Sequence, residues 1–182
     1  MSLLSYIELC ELVENNVISP VEHDCINASS IDIHLGKEII IELGHESGNA
    51  VVDPHKRTNF PQRVIDISKH CYYDMRPGEF VLASSVEVFN LPNDISAEFR
   101  LKSSGARSGL NNLFACHCDS GWSGSTLTLE LHNCLRLTNI RLTPNMRIGQ
   151  MLFHRHTEVP ADRSYAARGR YMNDKSVQSV KP

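Results

Sequence analysis

Several things are missing from this chain of 182 residues. No apolar run approaches the roughly 18 residues that a membrane crossing requires, and no basic segment followed by an apolar one opens the sequence. Both absences point to a cytoplasmic protein with no membrane partner. Positive charge is scarce: 18 Lys and Arg stand against 21 Asp and Glu, a net charge of −3 with neutral histidines. That balance argues against a broad surface for a nucleic-acid polymer, though not against a small basic pocket for a phosphorylated metabolite. Six cysteines are scattered without the dense framework of a secreted scaffold, so free thiols are expected. Paired metal-ligand spacings are missing too. Cys116-His117-Cys118 has no second pair, and on a strand the two cysteines face away from the histidine, which favours packing over zinc.

What is present is ordinary globular composition, 41% hydrophobic and 21% charged, at a length of about one domain, taken as residues 1–182. Only residues 5–16 read as a sizeable helix, with Leu4, Ile7, Leu12 and Val13 near helical spacing. Short β-rich runs follow at 31–35, 38–43, 80–83, 86–89, 95–101, 113–116, 126–133, 135–137, 140–142 and 148–154, punctuated by Gly, Pro and Asn turns. The expectation is a mainly β sandwich or barrel with one N-terminal helix. Residues 44–63 and 160–182 read as loops. The second is either a frayed tail or a flap whose Arg163, Arg168, Arg170 and Lys175 meet an anion.

The chemistry concentrates between 102 and 133. KSSGARSGL at 102–110 packs a cation, two hydroxyls, a glycine and a second cation into six residues, a set that either binds phosphate or merely makes a loop. In TLTLELHN at 126–133, strand alternation sends Leu127, Leu129 and Leu131 to one face and Thr126, Thr128, Glu130 and His132 to the other. On that polar face Glu130 is either solvated or part of a pocket. In a pocket, desolvation would raise its pKa toward neutrality and suit it to move a proton.

Taken in order, the motifs resemble those of the dCTP deaminases, in the trimeric superfamily that also holds the dUTPases. NASSIDIHLG at 27–36 is similar to the family's S-x-D-x-x-L-G. MRPGEFVLA at 75–83, with Glu87, Leu91 and Pro92, resembles L-x-P-G-E-F-x-L-A and the segment after it. Ser103 to Leu110 resembles S-S-x-A-R-x-G-L, DSGWSG at 119–124 resembles D-P-G-[FWY]-x-G, LELHN at 129–133 resembles L-E-L-x-N, and PNMRIGQMLF at 144–153 resembles P-G-M-x-I-G-Q-L-x-F.

The resemblance implies a distorted β-barrel or jelly-roll-like sandwich of the dUTPase type, and a homotrimer with sites between subunits. It also implies hydrolytic deamination of dCTP, or of a 5-substituted dCTP, to the corresponding dUTP and ammonia, without zinc. By resemblance Glu130 is the proton shuttle. Ser103 and Arg107 fix the water and the glutamate, the Ala115 region meets the base, and Asp119 holds the 3′-hydroxyl. Lys102, Ser103, Ser104, Gln150, Tyr165, Arg170 and Tyr171 take the triphosphate with Mg2+ bound through its phosphates. Gly105, Ala106, Trp122, Thr128 and Leu129 complete the substrate contacts, and residues 160–182 form a flap over the nucleotide.

Two single-residue length changes, before and after Asp119, flank the base pocket. Asp174 stands where the family commonly has a phosphate-facing glutamine, so Lys175 is expected beside it, or a different tail path. The alternatives are a bifunctional deaminase–dUTPase that runs on to dUMP and pyrophosphate, a dUTPase, and a non-catalytic nucleotide-binding trimer. The dUTPase is disfavoured by the missing C-terminal phosphate loop and the presence of Glu130. The binder is disfavoured by the joint presence of Ser103, Arg107, Asp119 and Glu130, since binding alone needs no proton shuttle.

Overall fold

The computed structural model describes residues 2–43, 51–113, 115 and 117–181. Among these residues twelve strands and three α-helices follow one another as β1 (Ser2–Leu3), α1 (Tyr6–Glu14), β2 (Ile18–Ser19), β3 (Ile31–Glu42), β4 (Gln62–Asp66), β5 (Tyr73–Met75), β6 (Phe80–Asn90), β7 (Ile95–Leu101), α2 (Ser103–Arg107), β8 (Leu110–Asn112), β9 (His117–Cys118), β10 (Ser123–Asn133), β11 (Ile140–Leu142), β12 (Arg147–Arg155) and α3 (Tyr165–Arg168). The expected helix is there, trimmed at both ends. Ser5 is its N-cap, with its own N–H donating to the Glu8 carboxylate at 2.9 Å, and Asn15 ends it. Leu9 and Leu12 bury its inner face against the sheet.

Every strand pair among the described residues is antiparallel, and the main sheet runs β8-β10-β6-β3-β12-β7-β9. The long strand β3 belongs to both halves. Ile31 to His34 pair with β12, whereas Leu35 to Glu42 pair with β6 and β4. The sheet therefore curls about β3 into the expected barrel-like sandwich and encloses Ile31, Ile33, Leu35, Phe89, Phe99, Leu129, Leu131 and Phe153.

Two pairs of expected strands, 31–35 with 38–43 and 80–83 with 86–89, are each continuous. In β6 the gap is bridged by Ser84 and Ser85, whose backbone still pairs, and in β3 by Gly36 and Lys37 at a shift of register. The reading of 113–116 as a strand is not supported at Leu113 and Ala115, which lie between β8 and β9, and Phe114 and Cys116 lie outside the described residues. Nor is 135–137 a strand, for a local reason. The fully buried Asn133 side chain donates to the carbonyls of Met75 and Thr138, both at 3.0 Å, and accepts from Leu135 N–H, folding the chain into a turn. Strands β4 and β5 carry little apolar alternation and were not expected.

At the bend of β3 sits Gly36, where a Cβ would come within 2.5 Å of Ser84 Oγ and 2.9 Å of the Ser84 carbonyl. Only a hydrogen fits between these two strands. Gly36→Ala is expected to destabilise the fold by about 1–3 kcal/mol, read from urea unfolding; parental stability would refute the close approach.

Candidate active site

Strand β10 runs between β6 and β8, and its alternation sets the site. Leu129 and Leu131 enter the apolar core, while Thr128, Glu130 and His132 are half-buried on the other face. Against β6 the register slips between Thr126 and Thr128, a bulge that brings two consecutive side chains, Thr126 and Leu127, to the same opening.

That opening is a cavity of about 420 Å³. Its floor is β10 with Phe80 and Leu82 of β6. One wall is the segment from Ala115 through Asp119 to Trp122, another is the loop bearing Asn59 and Phe60, and Tyr165, Tyr171, Asp174 and Gln178 of the C-terminal segment close it. Glu130 sits opposite Leu82 in the strand register. Its Oε2 is buried with no hydrogen-bond partner among the described residues, and no cation answers it there. Burial pushes its carboxyl up to about 7. A carboxyl so placed exchanges a proton readily near neutral pH.

The C-terminal segment is tied down by specific bonds. Thr126 N–H donates to the Asp174 carbonyl at 2.8 Å, and Asp174 N–H to Ser125 Oγ at 3.1 Å. Trp122 Nε1 donates to the Tyr171 carbonyl at 2.6 Å while its ring stacks on Phe89. The Asn59 amide pairs both ways with the Val180 backbone, each bond 3.0 Å. The carboxylate of Asp174 is answered by Lys181 Nζ at 2.7 Å, so Lys181 fills the part expected of Lys175. The segment folds as a cover, not as a frayed end.

Of the residues singled out in the sequence, Ala115, Asp119, Trp122, Thr128, Glu130, Tyr165 and Tyr171 surround this cavity. Asp119 is exposed at the rim, its carboxylate 3.3 Å from His117 Nε2. Leu129 is 1% exposed, with its side chain in the core and not at the cavity, as strand alternation requires. Lys102, Ser103, Ser104, Gly105, Ala106 and Arg107 lie at or in α2, and neither they, Gln150 nor Arg170 lines the cavity. Within one chain Ser103 and Arg107 are therefore not among the residues that share Glu130's cavity. Helix α2 leaves the end of β7, in the half of the sheet built on β12, whereas Glu130 belongs to the half built on β6. Lys102 Nζ instead donates to Asp32 Oδ1 at 2.7 Å, and Gln150 Oε1 accepts from Ser30 Oγ at 3.3 Å.

Sequence reasoning missed Thr126, Asn59, Phe60, Phe80, Leu82, His117, Cys118 and Gln178 as cavity residues. Thr126 shares the polar face of Glu130 and was within reach of the alternation argument. Asn59 and Gln178 come from segments without periodicity and gave no signal.

A family model described as dCTP deaminase-like matches residues 3–156. The chain is 33% identical over 153 residues to the protein named dCTP deaminase, dUMP-forming, of Mycobacterium marinum, covering 84% of this chain and 78% of the relative. It is 32% identical over 168 residues to the protein of the same name from Tropheryma whipplei, covering 91% and 83%. Among solved structures it is similar to the 2′-deoxycytidine 5′-triphosphate deaminase of Agrobacterium tumefaciens, with a TM-score of 0.65 and 20% identity. That match covers 85% of this chain and 48% of the other, so the chain spans about half of the solved one; the likeness shows the fold.

The raised pKa of Glu130 carries a stability consequence. Between the ordinary value of 4.5 and about 7 the folded chain keeps a proton that the unfolded chain has released, so stability falls as pH rises through that window. Glu130→Gln removes this dependence and is expected to be more stable than the parent at pH 8 by about 1–3 kcal/mol, an advantage that shrinks towards pH 5 in urea unfolding. An advantage that does not change with pH would contradict a buried, unpaired carboxyl.

A chain ending at Gly169 tests the cover. Trp122, the sole tryptophan, loses its partner on Tyr171 and should emit at longer wavelength, and the pH-dependent advantage of Glu130→Gln should largely disappear as water reaches the carboxyl. Unchanged emission would mean that the segment does not shield this face.

Proposed function

Because this chain belongs to the dCTP deaminase-like family, we propose that it converts dCTP and two waters into dUMP, ammonia and pyrophosphate. The chain is an enzyme, a hydrolytic deaminase. The expectation that its reaction stops at dUTP is corrected by its relatives: those from Mycobacterium marinum, Tropheryma whipplei and Pseudarthrobacter chlorophenolicus are all named dUMP-forming. The observation that carries the deamination half is the Glu130 carboxyl, its Oε2 buried with no hydrogen-bond partner among the described residues, at the floor of a nucleotide-sized cavity.

Water adds to C4 of the cytosine while the Glu130 carboxylate takes one of its protons. The carboxylic acid so formed returns the proton to N3; the carboxylate then takes the proton of the new C4 hydroxyl and hands it to the amine, so that the C4–N bond breaks, ammonia leaves and the C4 carbonyl forms. One group performs all these transfers because its pKa lies near the operating pH. The second water attacks the α-phosphorus and the bond to the β-phosphate breaks, releasing pyrophosphate. Asp119, the exposed carboxylate at the rim, is assigned to orient that water.

The remaining groups, Ser103, Arg107, Lys102 and Gln150, are assigned to the site of a neighbouring copy in a homotrimer. Their position off this chain's cavity and the exposure of Ser103 and Arg107 support that assignment, as does the almost fully exposed Leu137, which a neighbour would cover. Mg2+ bound with the triphosphate would offset its charge. The described residues group no three His, Cys, Asp or Glu side chains as a cage, and a donor set of hydroxyls, amide and ammonium suits an ion held by phosphate oxygens. No helix among the described residues is long and apolar enough to cross a membrane.

The test is the full chain with Mg2+ and dCTP, resolving ammonia, dUTP, dUMP and pyrophosphate. Ammonia, dUMP and pyrophosphate are expected in equal amounts; ammonia with accumulating dUTP would contradict the second step. Glu130→Gln should still bind dCTP yet lose deamination by about 10²–10⁴-fold, and full activity in that variant would refute the assigned shuttle.

A further inference from the structure

Outside the cavity the most strongly organised polar group is Asp32, on β3 and 2% exposed. Its Oδ1 accepts from Lys102 Nζ at 2.7 Å and from Asn27 Nδ2 at 2.9 Å, and Arg147 Nη1 lies 3.5 Å from Oδ2. The strand register makes this a cluster of defined geometry. Asp32 faces Gln150 across β3 and β12, Gln150 faces Arg100 across β12 and β7, and Lys102 N–H donates to the Ile148 carbonyl where β7 ends. Lys102 is also the N-cap residue of α2, directly before the exposed Ser103 and Ser104.

A buried carboxylate paired with cations adds little net stability over an apolar replacement, so stability alone does not account for one here. What it does is geometric. A lysine stem is flexible, and an exposed ammonium samples many positions. Here one of its three donors is committed to a fixed oxygen, and the other two have no partner among the described residues.

Building on the proposed function, we infer that Asp32 is the positioning residue of the phosphate-binding turn, holding the Lys102 ammonium so that it and the hydroxyls of Ser103 and Ser104 meet the triphosphate of dCTP together. Asp32 acts through Lys102 and touches no substrate. Asn27 and Arg147 hold the carboxylate in turn.

Steady-state kinetics with dCTP, and inhibition by dCMP, test this on the full chain. Asp32→Asn should raise KM for dCTP roughly tenfold, lower kcat by less than about threefold and leave inhibition by dCMP unchanged, since dCMP lacks the β- and γ-phosphates. Lys102→Met should show the same split, and the double variant should be no worse than Lys102→Met alone. Should Asp32→Asn fail to fold, Asn27→Ala, which frees the carboxylate on one side only, should give a smaller rise in KM with the same indifference to dCMP. Parental or lower KM in the variant that folds overturns the inference, as do equal losses for dCTP and dCMP or losses that add to those of Lys102→Met. A parental chain that does not turn over dCTP refutes the proposed function itself.

Discussion

A half-buried carboxyl group, with one oxygen that no hydrogen bond reaches among the described residues and the chain's own C-terminal segment across the opening, is the constraint around which the cavity is arranged. Glu130 projects from the polar face of β10 because Leu129 and Leu131 are pinned in the core on the other face, and it is half-buried beneath residues 171–181, which lie across the opening. Either support alone would be insufficient. A strand without its cover would leave an ordinary solvated glutamate, and a cover over an apolar strand would enclose an inert hole.

The cover is specified by polar bonds to the strand and its neighbours, through Trp122, Ser125, Thr126 and Thr128. Such bonds are individually modest and exchangeable with water. A segment held this way can detach without disturbing the apolar core beneath it. The pairing of Asp174 with Lys181 belongs to the same design, because it neutralises an acid that would otherwise face the cavity unpaired.

Much of this was legible in the sequence, for identifiable reasons. The period-2 alternation of residues 126–133 sent Glu130 to the polar face, and the one sizeable helix was read at residues 5–16, close to the observed Tyr6–Glu14. The ordered motifs carried the family. What could not be read lay where side chains from distant segments converge. Nothing in the run 102–107 says that α2 contributes no side chain to the cavity of Glu130, since that depends on how distant strands are assembled. Lys181 in place of Lys175 as partner of Asp174 likewise depends on how the tail turns back, and the bulge at Thr126 on a register slip with no composition signal. Whether the reaction ends at dUTP or dUMP was open on the residues alone, because Asp119 suits both outcomes.

The central claim is a protonation equilibrium at one side chain. Carbon-13 NMR of the full chain with labelled glutamate carboxyls, assigned by comparison with Glu130→Gln, reads it directly. One carboxyl resonance, absent from the variant, is predicted to titrate near pH 7. Its titration near the ordinary glutamate value would contradict the account.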